Sequence, residues 1–304
     1  MKKRIALVTV LLLILSLPAL AQERGQYIPG TTGLNSGIQA PEGFTYANLF
    51  IWYPSTKFKD RNGNTSALNF DLDLVADFNM FAYTTKAKFL GANVGMAVAV
   101  PIVNTPISLP KLGANVSPTG IADIYFEPVN LGWKGKWADT KVAYGFVAPT
   151  GRFDSVGNDT TTTDYWGHQI TLASTIYLDQ TKLTQFSFNT NWEFHHKKRH
   201  EDLKVGNNMT LEAGVGKIFV KNQGKQLLQF GAVGYAEFQL TNDLGTAVPL
   251  LTANNKDRVF AIGPEFGVIL PTKKFSVMVR VLPEFGARNR TQGVTVVAGL
   301  VKSF

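Results

Sequence analysis

Residues 69–80 read NFDLDLVADFNM, with Asp71, Asp73 and Asp77 set against Phe70, Leu72, Leu74, Ala76 and Phe78. A strand points successive side chains to opposite faces, so this segment has one apolar face and one acidic face. Two architectures accept such a strand. In a soluble sandwich the acids face bulk water; in a membrane barrel they face a wet lumen. The same period-2 pattern recurs along the chain and marks about twelve strands, near 44–54, 66–83, 86–103, 120–134, 139–149, 164–177, 183–195, 208–220, 225–240, 257–270, 274–288 and 293–304. In QFSFNTNWEFH at 185–195, Phe186, Phe188, Trp192 and Phe194 oppose Gln185, Ser187, Asn189, Asn191, Glu193 and His195.

The connections separate the two architectures. After even-numbered strands they are short: TTKA, GKWAD, LDQTK, VKNQGK and PTKK. After odd-numbered strands most are long and polar, as in STKFKDRNGNTS, NTPISLPKLGANVSPTG and GRFDSVGNDTTTT. HKKRHEDLKVGN and TNDLGTAVPLLTANNK continue the series. Short turns at one end and long loops at the other are the plan of an outer-membrane barrel, an antiparallel transmembrane β-barrel with periplasmic turns and extracellular loops. A sandwich has no reason to sort its loops this way.

The chain ends agree. MKKR followed by IALVTVLLLILSL and Ala19-Leu20-Ala21 has the charged, apolar and cleavage parts of a secretory signal. Its apolar run of about 13 residues is short of the roughly 20 that a membrane helix needs. The expected division is a cleaved signal at 1–21, an irregular segment at 22–43 and a barrel at 44–304. The last strand, VTVVAGLVKSF, ends on Phe304 with Val294, Val296, Ala298 and Leu300 on its face. That resembles the assembly signal of outer-membrane barrels, although Lys302 stands where an apolar residue is expected. Aromatics cluster at the strand ends: Trp52, Tyr53, Tyr165 and Trp166 beside long loops, Tyr83, Trp133, Trp137 and Tyr177 beside short turns. Two aromatic girdles are the expected interface anchors.

The chain has no cysteine, which excludes a disulfide scaffold and a metal site of the Cys/His kind. The formal charge of +8 falls to +5 once Lys2, Lys3 and Arg4 leave with the signal. That modest excess suits lipid headgroups and lipopolysaccharide phosphates; an exported address excludes nucleic acid.

A cation on the lipid face at mid-depth costs about 2–4 kcal/mol, and Asp somewhat less. The acids are therefore expected to face inward: Asp71, Asp73, Asp77, Asp123, Glu127, Glu193, Glu212, Glu237, Glu265 and Glu284, with Arg280 and Arg288. They either pack a polar interior or select what passes. Three of the four histidines, His195, His196 and His200, are expected in a solvated basic loop that touches lipopolysaccharide. No His-x-Ser and no Gly-x-Ser-x-Gly occurs, so catalysis has no support, and no cofactor is called for. The segment 22–43 is punctuated by Gly and Pro and too irregular for a wall strand. With Tyr27, Ile28, Pro29 and Leu34 to dock, it is expected to enter the lumen as a plug rather than trail in the periplasm.

Four stretches carry a family resemblance: GQYIPGTTGLNSGIQAPEGFTYAN at 25–48, LGWKGKWADTKVAYGFVAPTGRFD at 131–154, EFHHKKR at 193–199 and LEAGVGKIF at 211–219. Together they resemble the outer-membrane transporter family of the meta-pathway of phenol degradation, similar in plan to the barrels that admit fatty acids and toluene. The resemblance implies passive uptake of small hydrophobic, aromatic solutes. The partners expected are those solutes, outer-membrane lipids and lipopolysaccharide, and the barrel assembly machinery. A general polar-solute porin, an enzyme of the outer leaflet and an adhesive barrel remain as alternatives.

Overall fold

The computed structural model describes residues 25–67, 70–248 and 255–304. The signal segment at 1–21, with its Ala19–Ala21 site, lies outside the described residues.

Twelve long strands form the wall. They are β1 (Gly43–Ser55), β2 (Asp71–Phe89), β3 (Ala92–Asn104), β4 (Ile124–Lys134), β5 (Ala138–Ala148) and β6 (Gly167–Tyr177), then β7 (Thr184–His195), β8 (Asn208–Lys221), β9 (Gln226–Gln239), β10 (Arg258–Leu270), β11 (Phe275–Arg288) and β12 (Val294–Ser303). Each pairs antiparallel with its chain neighbours, and β12 returns to β1 from Thr45↔Ser303 to Trp52↔Val296. The ring is closed, so no strand edge carries unpaired backbone groups into lipid. Helical structure among the described residues is limited to three-residue 3₁₀ turns. The five short turns lie at one rim with Gly43 and Phe304, and the long connections lie at the other.

One turn differs from its expected place. TTKA lies at a register shift inside the first hairpin, between Thr84 and Lys88, and the chain reverses later, at Leu90-Gly91. Leu90 has φ 48° and Gly91 φ 80°, the paired positive values of a tight hairpin turn that follows strand twist. In the long connections, Lys57–Lys59 pairs with Arg290–Gln292. Ile107–Leu109 pairs with Ala114–Val116, and this small hairpin joins β2 through Leu72↔Ile107.

The faces of β2 reverse the sequence expectation. Leu72 and Ala76 are buried, and Leu74, Phe78 and Met80 line the lumen beside them. Asp71, Asp73 and Asp77 stand on the outer wall. There Asp73 accepts the indole N–H of Trp52 at 2.6 Å, and Asp77 accepts the amide of Asn48. Tyr46 donates to Asn79 at 2.6 Å in the same outward row. The physical reason is that alternation fixes two opposite faces without saying which is inward. Here the lumen side of β1–β3 is itself apolar, and Asp73 and Asp77 have hydrogen-bond partners outside.

Arg288 is a second correction. Phe260 pairs with Phe285 but Arg258 with Arg288, so β11 carries an extra residue at Gly286, where φ is +64°. The bulge inverts parity, so Glu284 and Ala287 are buried and Arg288 is exposed; past Asn289, whose φ is +55°, Arg290 is buried again. Among the aromatics, Trp52, Trp166, Tyr83 and Trp137 are exposed on the wall, whereas Tyr53, Tyr165 and Tyr177 are buried. His195 is also buried, its Nδ1 2.8 Å from the Gly206 carbonyl, so it does not belong to a solvated loop. His200 pairs with Asp164 at 2.8 Å.

Candidate functional site: a lumen strap beside an apolar wall

From Gly43 at the short-turn rim, residues 25–41 run back through the barrel interior toward the long-loop rim. Gln39 donates to the Asn93 carbonyl at 3.2 Å and to Asn130 at 2.5 Å. Asn35 donates to Ser187 and Gln229, and Gln185 donates to Asn35. At the far end Gln26 reaches Thr163 at 2.6 Å and the Tyr165 carbonyl at 3.0 Å. An irregular strap has no ladder to satisfy its N–H groups, and inside a barrel it needs acceptors from the wall.

Glutamates supply them. Glu193 Oε1 accepts the N–H groups of Gln26 and Tyr27, both at 2.8 Å. Glu212 Oε1 accepts the Tyr27 hydroxyl at 2.6 Å and the Gly30 N–H at 3.0 Å. Its Oε2 accepts the Thr32 N–H at 3.1 Å, the Thr32 hydroxyl at 2.8 Å and the Gly33 N–H at 3.2 Å. Glu265 accepts the Leu34 N–H at 3.2 Å and pairs with Arg280 at 3.0 Å; Arg280 in turn donates to the Gly30 carbonyl at 2.7 Å. Such charge-assisted bonds are the stronger class.

Glycines make the strap fit. Leu34 sits over Gly214, Gly216 and Gly231, where an added Cβ would lie 3.0, 2.6 and 2.8 Å from its methyl groups. At Gly37 a Cβ would come within 2.4 Å of the Asp139 carbonyl and the Thr175 nitrogen. Neither contact tolerates a larger residue without moving the strap.

The remaining inward charges hold the wall and its loops. Glu284 accepts the hydroxyls of Tyr53 and Tyr235, at 2.6 and 2.8 Å, and the Gly293 N–H at 2.7 Å. Arg290 pairs with Glu237 at 2.8 Å and Asp257 at 3.6 Å. Asp123 accepts Gly151 N–H at 3.0 Å and both Thr163 donors at 2.6 Å. Glu127 accepts Tyr125 at 3.0 Å and Asn130 at 2.7 Å. At the long-loop rim Asp243 accepts Gly206 and Gln239, and burial pushes its carboxyl above the ordinary value against those bonds. Arg290 is the residue sequence reading missed, because it lies past the expected end of its strand at 288, in the connection whose residues 290–292 pair with Lys57–Lys59.

Opposite the polar strap contacts lies a cavity of about 910 Å³. Leu49 and Ile51 of β1, Leu72, Leu74, Phe78 and Met80 of β2, and Ala97, Ala99, Pro101 and Val103 of β3 form one side. Ile28 and Pro29 of the strap face the same space. At the long-loop end Tyr53, Phe70, Leu72, Ile107 and Leu109 pack as a cluster against Phe58, Leu74 and Val116, giving the cavity an apolar mouth. Such a surface accepts apolar molecules by ordinary burial, worth about 25 cal/mol per Å² removed from water. Among the described residues no group of three or more metal-ligating side chains occurs.

The profile of the family described as "Putative MetA-pathway of phenol degradation" matches residues 55–299. The chain belongs to this family. Its fold is shared with an outer membrane channel from Pseudomonas putida F1, with a TM-score of 0.70 at 12% identity over 92% of this chain and 100% of that one. The transport unit of the autotransporter AIDA-I from Escherichia coli aligns with TM-score 0.53 at 12% identity, over 94% and 96% of the two chains. The β-domain of the Bordetella autotransporter BrkA gives 0.52 at 12% identity, over 87% and 100%. No protein of curated function matches the sequence. This family member is thus a closed twelve-strand antiparallel barrel of the outer-membrane type.

Proposed function

We propose that the protein is an outer-membrane channel for passive uptake of small hydrophobic, phenol-like compounds in a Gram-negative bacterium. It is exported with a cleaved signal, seated among lipids and lipopolysaccharide, and inserted by the barrel assembly machinery. The observation that carries this reading is the apolar side of the lumen. A polar-solute pore has no use for Leu72, Leu74, Phe78 and Met80 facing inward, whereas a hydrophobic solute gains free energy along them. The strap supports it too, since Glu193, Glu212 and Glu265 are engaged with backbone N–H groups rather than left to line an aqueous bore. The family's association with phenol degradation is consistent with the solute class.

The test is planar-bilayer conductance of the full-length barrel and of a form lacking residues 22–41, beside uptake of labelled phenol in cells. The full-length protein is expected to conduct ions poorly while speeding phenol uptake. The truncated form should conduct well, because the wall closes its own hydrogen bonds. A full-length protein as leaky as the truncated one, with no phenol uptake above the vector control, would establish a polar-solute porin instead.

A further inference from the structure

Three cations line the lumen cavity: Lys141, Arg280 and Arg290. The two arginines are committed, Arg280 to Glu265 and the Gly30 carbonyl, Arg290 to Glu237 and Asp257. Lys141 is different. It stands on β5, half-buried, on the inward face with Asp139 and Ala143, and its cross-strand neighbours are Gly132 and Ala173. Neither neighbour offers a polar side chain, and the space over Gly132 is taken by Gln39 of the strap. Among the described residues Lys141 makes no hydrogen bond, and no carboxylate oxygen lies within 4.0 Å of its ammonium.

The carboxylates that face this part of the lumen are engaged elsewhere. Asp139, on the same strand, accepts the Gly135 N–H at 3.2 Å. Glu127 on β4 has one oxygen on Tyr125 and the other on Asn130. Gln39 on the strap spends its NH₂ on Asn93 and Asn130, and its buried Oε1 over Gly132 accepts no hydrogen bond; a neutral amide oxygen supplies no counter-charge. A partly desolvated ammonium without a counter-charge is unfavourable, and an anion delivered to it recovers that cost. The same cavity holds the apolar side built by β1–β3, which has no cation of its own.

We infer that Lys141 receives the carboxylate of an amphipathic organic anion whose apolar body lies against the β1–β3 side of the cavity. The inference rests on the uptake reading above and narrows its solute class from neutral arenes to apolar acids. An arene carboxylate and an aliphatic carboxylate share the required chemistry. Lys141 stands in the short-turn half of β5, near Gln39, so the head group is held at the inner end of the path while the body remains in the apolar part.

The experiment measures uptake of labelled benzoate, octanoate and toluene by cells that carry the vector, the wild-type protein, Lys141→Met or Lys141→Arg. Folded yield is read by heat-modifiability on gels. The Met variant is expected to slow the carboxylates about tenfold and leave toluene within twofold, and the Arg variant to restore them. Loss confined to benzoate assigns an arene carboxylate, and loss confined to octanoate an aliphatic one; either upholds the role of Lys141. Carboxylate uptake that is absent in the wild type, unchanged in Lys141→Met, or reduced in step with toluene overturns it. Toluene uptake equal to the vector control tells separately against the hydrophobic-channel reading, while carboxylate sensitivity to Lys141 stays measurable.

Discussion

Replacing Glu212 by Gln tests how the strap is held. The carboxylate accepts five hydrogen bonds from the strap, two on Oε1 and three on Oε2. The amide carbonyl can still receive Tyr27 and Gly30. Its NH₂ group, however, meets the N–H groups of Thr32 and Gly33, donor against donor. Two backbone bonds are lost and the charge assistance of the others disappears. A net value of about 1.5–3 kcal/mol for a hydrogen bond to a charged group sets the scale for each lost bond. Water in the neighbouring cavity recovers part of it, which leaves about 3 kcal/mol. At 1.4 kcal/mol per tenfold, the released strap becomes on the order of 100 times more populated. The assay is open-channel probability in planar bilayers, paired with protease cleavage between Gln26 and Gly37. The barrel itself should stay heat-modifiable, since its wall closes without the strap. If Glu212→Gln and Glu212→Ala both leave conductance and protease protection unchanged, the carboxylate does not hold the strap and the reasoning fails.

Gly37→Val should displace the strap at the short-turn end, because the new side chain collides with backbone at Asp139 and Thr175; conductance close to that of the truncated form is the expected result. Val75→Arg and Leu74→Arg test the faces of β2. The first places a cation on the outer wall level with Trp52, where the cost is only about 0–1 kcal/mol, and should leave folded yield and phenol uptake near wild type, whereas the second points into the cavity and should reduce phenol uptake; the opposite pattern would restore the acids to the lumen. Asp202 tests a loop tie. The Lys197 ammonium and the Thr246 donors hold its carboxyl below the ordinary carboxylate range, so the tie is complete above about pH 4 and is lost as pH falls further. Pepsin cleavage of the 196–207 loop, measured relative to Asp202→Asn, should converge on that variant as pH drops from 4 to 2; a constant ratio would show that the tie is irrelevant.

Residue order alone carried the architecture. Period-2 alternation is a local property of a strand, and the sorting of loops into short and long follows from which end a barrel must insert, so twelve strands and their direction were legible. The inward placement of Glu193, Glu237, Glu265 and Arg280 was legible too, because on those strands the opposite face is continuously apolar and only lipid can cover it. Two features depended on the closed ring. On β2 both faces have something to satisfy them, Trp52 and Asn48 for the acids outside and an apolar lumen for Leu72, Leu74 and Phe78 inside; that choice is set by neighbours about 20 to 30 residues away in sequence. On β11 the extra residue at Gly286 sends Ala287 in and Arg288 out, and the left-handed backbone at Asn289, φ +55°, breaks the alternation a second time, so that Arg290 turns in. The use of the carboxylates was equally out of local reach. Glu212 and Glu193 meet the strap across more than 160 residues of chain, and only closure of the barrel around residues 25–41 turns a row of inward acids into acceptors for its backbone.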